Sequence, residues 1–326
     1  MSGATALPPL HPAPRPRTRS ARGAGAAFAA LLALATLAPA PAHAGPAGFA
    51  FLEVPSGSRA SAMGGAYASI ARGAEAAFWN PAGLEGTSGT EITASHFELY
   101  QKLRHDQFAI AGRLLGCGVS ASMRALYSEP IEERDDLGNL TGSFGAHDLE
   151  FALGVGGRVA PGLSAGGTVS LVRERIANLA ADTYALGLGF AWEPAPWPGV
   201  RLSLSAQNLG PAATYDLDGA RGAPVDLPAG VQGGVSVGRA LGGGLTLRTA
   251  LEGRFTRGRS GVAALGGEVA GVGGAALRAG LRLDDGSANY SLGAGYAASA
   301  LHLDYAFVPT RLDLGDTHRF SVSARF

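Results

Sequence analysis

Apolar and polar side chains alternate with a period of two along segments of about ten residues, a pattern that dictates strands showing different chemistry to their two sides. In Leu301–Val308, LHLDYAFV, one face carries Leu301, Leu303, Tyr305 and Phe307, and the other His302, Asp304, Ala306 and Val308. The closing HRFSVSARF sets Phe320, Val322, Ala324 and Phe326 against Arg319, Ser321, Ser323 and Arg325. In LTLRTALEGRF (245–255), Leu245, Leu247, Leu251 and Phe255 oppose Arg248, Glu252 and Arg254. Fourteen such segments begin near Glu91, Asp106, Cys117, Asp148, Leu163, Asp182, Val200, Ala229, Leu245, Ser260, Ala275, Asn289, Leu301 and His318. A tilted strand of about ten residues crosses a bilayer, and bacterial barrels have even strand numbers.

A water-soluble sandwich also alternates, so the connections decide. After even strands they are tight: LGCG near 115–118, APGL at 160–163, GRALGGG at 238–244, GVGG at 271–274 and AASA at 297–300. After odd strands they tend to be longer and polar, as at 127–147, 208–230 and 308–318. Short periplasmic turns and long outer loops belong to membrane barrels. The Pro-rich EPAPWPG (193–199) is a slightly longer exception among the short turns. The last strand puts Phe320, Val322 and Phe326 on one face, which resembles the terminal signal read by outer-membrane assembly machinery. The expected fold is all-β: a transmembrane antiparallel β-barrel of about 14 strands over 90–326, preceded by a short segment.

The amino-terminal composition fits export. Arg15, Arg17, Arg19 and Arg22 precede an apolar run from Ala24 to Ala38, and Ala42-His43-Ala44 offers a cleavage site before Gly45. Residues 1–44 therefore read as a secretory signal peptide. The apolar run is short of the roughly 20 residues a membrane anchor needs. Removing it takes four arginines and no acid, leaving a formal charge of −4 against 0 for the whole chain. That is no nucleic-acid footprint. Cys117 is the only cysteine, which excludes an internal disulfide and a cysteine metal cage. The predicted location is the outer membrane of a Gram-negative bacterium, in contact with its lipid.

An arginine facing lipid at mid-bilayer costs roughly 2–4 kcal/mol. Arg248, Glu252, Arg254, Arg278, Arg282, His302 and Asp304 are therefore assigned to the lumen or its rims, and the large apolar positions to lipid. Many other lumenal positions are small: Gly187, Gly189, Ser203, Ser205, Ser291, Gly293 and Gly295. Small inward residues imply that something else fills the lumen. The candidate is the segment 45–89, whose core is FWNPAGL, residues 78–84. The residue before a proline is pushed from the α region, so a helix arriving from Ala74 should stop near Trp79. Irregular backbone at membrane depth is tolerated only inside protein or water. The segment reads as a lumenal hatch; the other reading leaves it as a periplasmic tail.

Here the residues carry a resemblance. FLEVPSGSRASAMGGAYASIARGAEAAFWNPAGL, with Met63-Gly64-Gly65-Ala66 and Trp79-Asn80-Pro81-Ala82-Gly83, resembles the amino terminus of the PorV/PorQ family within the wider FadL-type outer-membrane proteins. SAQNLGP (205–211) and LDYAFVPTRLDLGDTHRFSVSARF (303–326) extend the resemblance across the mature chain. It implies a fourteen-stranded barrel with an amino-terminal hatch, no cofactor and no catalytic residues. PorV-type relatives serve type IX protein secretion, which would make secreted proteins or secretion-system components the partners of the outer loops. FadL-type relatives pass small hydrophobic molecules.

Enzymatic and metal readings lack a constellation. There is no Gly-x-Ser-x-Gly elbow. His302 and Asp304 share a face with no serine obviously placed to meet them. The acidic run Glu129, Glu132, Glu133, Asp135 and Asp136 lacks the calcium-loop spacing, and the histidines lack metal-ligand spacing. Two functional expectations stand: a secretion-associated barrel that docks partners through loops 127–147 and 208–230, and a channel for small hydrophobic compounds.

Overall fold

The computed structural model of the chain describes residues 48–326 except 100, 101, 218, 219, 284, 285, 287 and 312–314. The signal peptide expected over 1–44 lies outside the described residues.

Among them the strands run, in chain order, β1 (Glu91–Glu98), β2 (Arg104–Leu114), β3 (Cys117–Tyr127), β4 (Ile131–Arg134), β5 (Leu140–Phe144), β6 (Ala146–Ala160), β7 (Leu163–Ile176), β8 (Leu179–Trp192) and β9 (Val200–Leu209). They continue as β10 (Ala213–Leu217), β11 (Ala220–Val225), β12 (Gly230–Gly242), β13 (Leu245–Thr256), β14 (Val262–Ala270), β15 (Ala275–Leu283), β16 (Tyr290–Ala298), β17 (Leu301–Pro309) and β18 (Asp316–Arg325). Fourteen of them close an antiparallel barrel, each pairing with its barrel neighbours in sequence. β1 and β18 complete the ring in register from Glu91 opposite Arg325 to Glu98 opposite His318. Closure leaves no backbone edge to be satisfied in lipid.

The alternation sets the two faces. Phe151, Leu153, Leu171, Leu251, Leu277 and Phe255 point outward and are about half exposed or more, whereas Ser205, Glu252, Glu268 and Arg278 point inward and are buried. Apolar outside and polar inside is the inverse of a soluble protein, as lipid requires.

One rim is built of tight turns. Leu115 and Gly116, at φ 51° and 84°, make the two-residue link from Leu114 to Cys117 in the left-handed geometry that matches strand twist. The turn expected over 238–244 is shorter than that, because β12 runs on to Gly242. The opposite rim carries the two longest connections, 128–145 and 210–229, together with short ones, of which the shortest is Ala177 and Asn178 between β7 and β8.

Two expected loops are ordered hairpins. In 127–147, β4 pairs with β5 as a separate two-stranded sheet. Asp135 organises its tip: its Oδ1 accepts the Leu137 and Asn139 N–H groups at 3.0 and 2.8 Å, and its Oδ2 accepts Asn139 Nδ2 at 2.9 Å. The Asn139 amide holds the Asp135 carboxyl below its usual range. In 208–230, β10 pairs with β11. Sequence alternation misses both hairpins because neither sets one face on lipid and the other on the lumen, so the period-two contrast of the wall strands is absent.

Candidate functional site

The lumen is filled by the chain's own residues 48–90. FWNPAGL shows how the segment is seated. A short helix, Ala76–Trp79, stops where the proline rule places its end. Asn80 is extended, at φ −158° and ψ 106°, and its Oδ1 caps the next turn, Pro81–Gly86, by accepting the Ala82 N–H at 3.1 Å. The Asn80 Nδ2 donates outward to the Phe190 carbonyl of β8 at 3.0 Å. The Trp79 carbonyl accepts Nε2 of Gln207 and of Gln232, both at 2.7 Å, and the Ser205 hydroxyl at 3.2 Å. The Trp79 indole N–H donates to Ser56 at 2.9 Å, and its ring meets Tyr67 edge-on at 5.8 Å. The segment's irregular backbone is thus satisfied by wall side chains in place of water.

The small lumenal residues explain themselves against this segment. A Cβ on Gly166 would lie 2.4 Å from the Pro81 carbonyl oxygen, and one on Gly280 would lie 2.0 Å from the Gly64 nitrogen. Met63-Gly64-Gly65-Ala66 is a turn in which Gly64 and Gly65 take φ of 68° and 80°. Gly64 N–H donates to Ser291 Oγ at 3.1 Å, and Arg282 Nε donates to the Gly64 carbonyl at 2.9 Å. Ala82 and Gly83 are buried in the turn that follows Pro81.

The remaining lumenal charges form a network. Arg59, on the segment's helix Ser58–Ala62, clasps Glu268 of β14 with Nε at 2.8 Å and Nη2 at 2.7 Å. Arg248 and Arg278 reach the same carboxylate at 3.0 and 2.7 Å, and Arg278 also reaches Asp304 at 2.7 Å. Glu252 accepts the N–H and hydroxyl of Ser69 at 2.8 and 3.1 Å. Arg254 lines a small void beside Ser56 near the long-loop rim, away from the Glu268 network. His302 lines a chamber of about 800 Å³ that lies below the segment toward the tight-turn rim, together with Arg72, Glu193, Arg201 and Glu268. The hub, Glu268, escapes the sequence reading. Its signal is a lone acid at an inward position, directly across from Arg248 on one side and Arg278 on the other.

The middle of the segment packs Met63, Tyr67, Ile70, Phe78, Trp79 and Leu84 together, and a second apolar cluster lies toward the long-loop rim. Phe49, Phe51 and Leu52 are buried among Val172, Ala181 and Ala185 of the wall, Ala213 of β10 and Leu227 just after β11. Glu174 ties the parts together: its Oε2 accepts the Phe49 N–H at 2.6 Å, and its Oε1 accepts the Tyr215 hydroxyl of β10. Burial and that bond push the Tyr215 hydroxyl up. Glu53 pairs with Arg259 at 2.6 Å. Sequence reading counts Phe49 and Leu52 in the hatch without distinguishing this apolar stopper.

At the wall's end, Phe320, Val322 and Phe326 are exposed on the outward face. Among the described residues no group of three or more His, Cys, Asp or Glu could hold a metal ion.

No protein-family model matches the chain, and no curated protein sequence matches it. Solved structures do. The Ralstonia pickettii toluene transporter TbuX is 14% identical with a TM-score of 0.55, over 83% of this chain and 98% of that one. The Pseudomonas putida toluene transporter TodX is 13% identical with a TM-score of 0.57, over 82% and 96%. A Pseudomonas aeruginosa FadL homologue is 12% identical with a TM-score of 0.53, over 82% and 97%. The likeness is one of fold, and through it this fourteen-stranded barrel resembles FadL-type transporters of the Gram-negative outer membrane.

Proposed function

We propose that the protein is an outer-membrane channel through which small apolar compounds enter, with residues 48–90 as its hatch. The observation that carries this reading is the stopper: Phe49, Phe51 and Leu52 close the long-loop end of the lumen in an apolar socket of Val172, Ala181, Ala185, Ala213 and Leu227. A compound that competes for that socket is itself apolar and compact. The fold likeness to hydrocarbon transporters supports the same reading. In it the chain is no enzyme, is exported by cleavage of 1–44, and is inserted by assembly machinery reading Phe320, Val322 and Phe326. The test is uptake of radiolabelled toluene by cells with and without the protein. Faster uptake with the protein, and no change for a disaccharide of similar flux, supports it; equal toluene uptake refutes it.

A second reading, docking of secreted proteins or secretion components as in PorV/PorQ-type barrels, draws on the β4–β5 hairpin. Ile131, Leu137 and Leu140 are exposed there beside Glu132, Glu133 and Asp136. Deleting 131–144 and measuring the surface yield of exported proteins tests it; an unchanged yield removes this reading.

A further inference from the structure

The outer wall is not evenly convex. On the lipid-facing side of β16, β17, β18, β1 and β2 lies a groove of about 720 Å³, and its open surface is almost wholly apolar. Two cross-strand rows make it. In the lower row Tyr296 faces Leu303, Leu303 faces Val322, and Val322 faces Ala94. In the upper row Ala294 faces Tyr305, Tyr305 faces Phe320, and Phe320 faces His96. Ala94 and Ala294 are the low points between tall neighbours: Tyr296, Leu303 and Phe320 are 54%, 49% and 56% exposed. The inward residues of the same strands, such as Ser321, are covered by the hatch, so the groove opens outward.

Its upper end is polar. His96 Nδ1 and Asp106 Oδ1 are 2.6 Å apart, and the Tyr127 hydroxyl donates to Asp106 Oδ2 at 2.8 Å. Tyr305 and His318 are hydrogen-bonded at 2.8 Å. Arg104 and Glu98 stand in the next row toward the long-loop rim. Ionisable groups on the outside of a barrel are expensive in hydrocarbon, and aromatic residues with polar tips belong at headgroup level. The vertical order is therefore polar cluster at the headgroups and apolar groove below, the order of a lipid.

We propose that this groove is a binding site for one acyl chain of a membrane lipid, whose headgroup meets the His96–Asp106 and Tyr305–His318 pairs. The proposal rests on the barrel and not on what the lumen carries. Lipid is the material against this wall, and the groove offers it concave apolar contact.

The test uses the full-length protein in detergent, titrated with lipid A, the outer-leaflet lipid, bearing a photoactivatable diazirine in an acyl chain, and maps cross-links by peptide mass spectrometry. The expected result is labelling concentrated at 294–296, 303–305 and 320–322. Filling the groove with Ala294→Trp should cut it at least five-fold while labelling at Phe151 and Leu171 stays constant. Ala94→Phe serves the same purpose if Ala294→Trp fails to fold, which heat-modifiable gel mobility reports. His96→Ala should weaken labelling less than groove filling does. Labelling spread evenly round the barrel, or unmoved by either filling variant, overturns the proposal. So does labelling by a diazirine alkane of equal length but not by the lipid, which would make the groove a hydrocarbon site.

Discussion

Replacing Glu268 with Gln tests the hatch anchor. Glu268 takes two bonds from Arg59 and one each from Arg248 and Arg278, all within 3.0 Å. Glu268 and Arg278 are buried, while Arg248 is partly open to the chamber. Removing one member of a buried charge set costs about 3–5 kcal/mol, because the others stay desolvated and unpaired. Two of the three arginines keep an alternative: Arg278 holds Asp304 at 2.7 Å, and Arg59 lies 3.9 Å from Glu75. Only Arg59 joins hatch to wall here, so the loss that bears on seating is that of its two charge-assisted bonds, about 3 kcal/mol, or roughly a hundredfold in the balance between seated and unseated hatch. The assay is planar-bilayer conductance of single barrels. The wild type should be almost silent, and Glu268→Gln should open about a hundred times more often. Arg59→Gln should reproduce most of the effect, since it removes only the hatch side of the contact. Combining the two should add little. A Glu268→Gln barrel as quiet as wild type refutes the claim that this network seats the hatch.

Other consequences follow from the same packing. Gly280→Ala should lower thermal stability by about 1–3 kcal/mol through overpacking, since its Cβ would fall 2.0 Å from the Gly64 nitrogen. Gly112→Ala, with open space around it, should leave the melting curve unchanged. Asn80→Ala removes the Ala82 cap and the Phe190 bond, and should cost about 1–2 kcal/mol in urea unfolding, at the upper part of the range for lost caps. Deleting 131–144 should leave heat-modifiable mobility and conductance as they are, because β4 and β5 pair only with each other.

The barrel is legible in the sequence because lipid and lumen impose opposite demands on alternate residues. Each of the fourteen expected strands begins within three residues of an observed one; Asp182 and Leu179 mark the widest gap. The break after Trp79 is equally legible, since a proline acts locally. What the sequence hides depends on tertiary placement. Glu268 becomes a hub only when Arg59 arrives from some two hundred positions away. Phe49 and Phe51 look like any apolar residues until the β10–β11 hairpin folds beside them. That hairpin and β4–β5 leave no alternation to read, because neither builds a two-faced membrane wall.

The central claim, that apolar compounds enter by displacing the stopper, has a direct test in a reversible lock. A Cβ on Gly48 would lie 3.6 Å from the Cβ of Val225 on β11, within the range of a disulfide. With Cys117→Ser to remove the one native thiol, Gly48→Cys and Val225→Cys can tie the stopper to the hairpin. Toluene uptake should fall to the level of cells lacking the protein when the pair is oxidised, and return on reduction. Uptake that is the same in both states would contradict the account, since the compound would then be passing without moving the stopper.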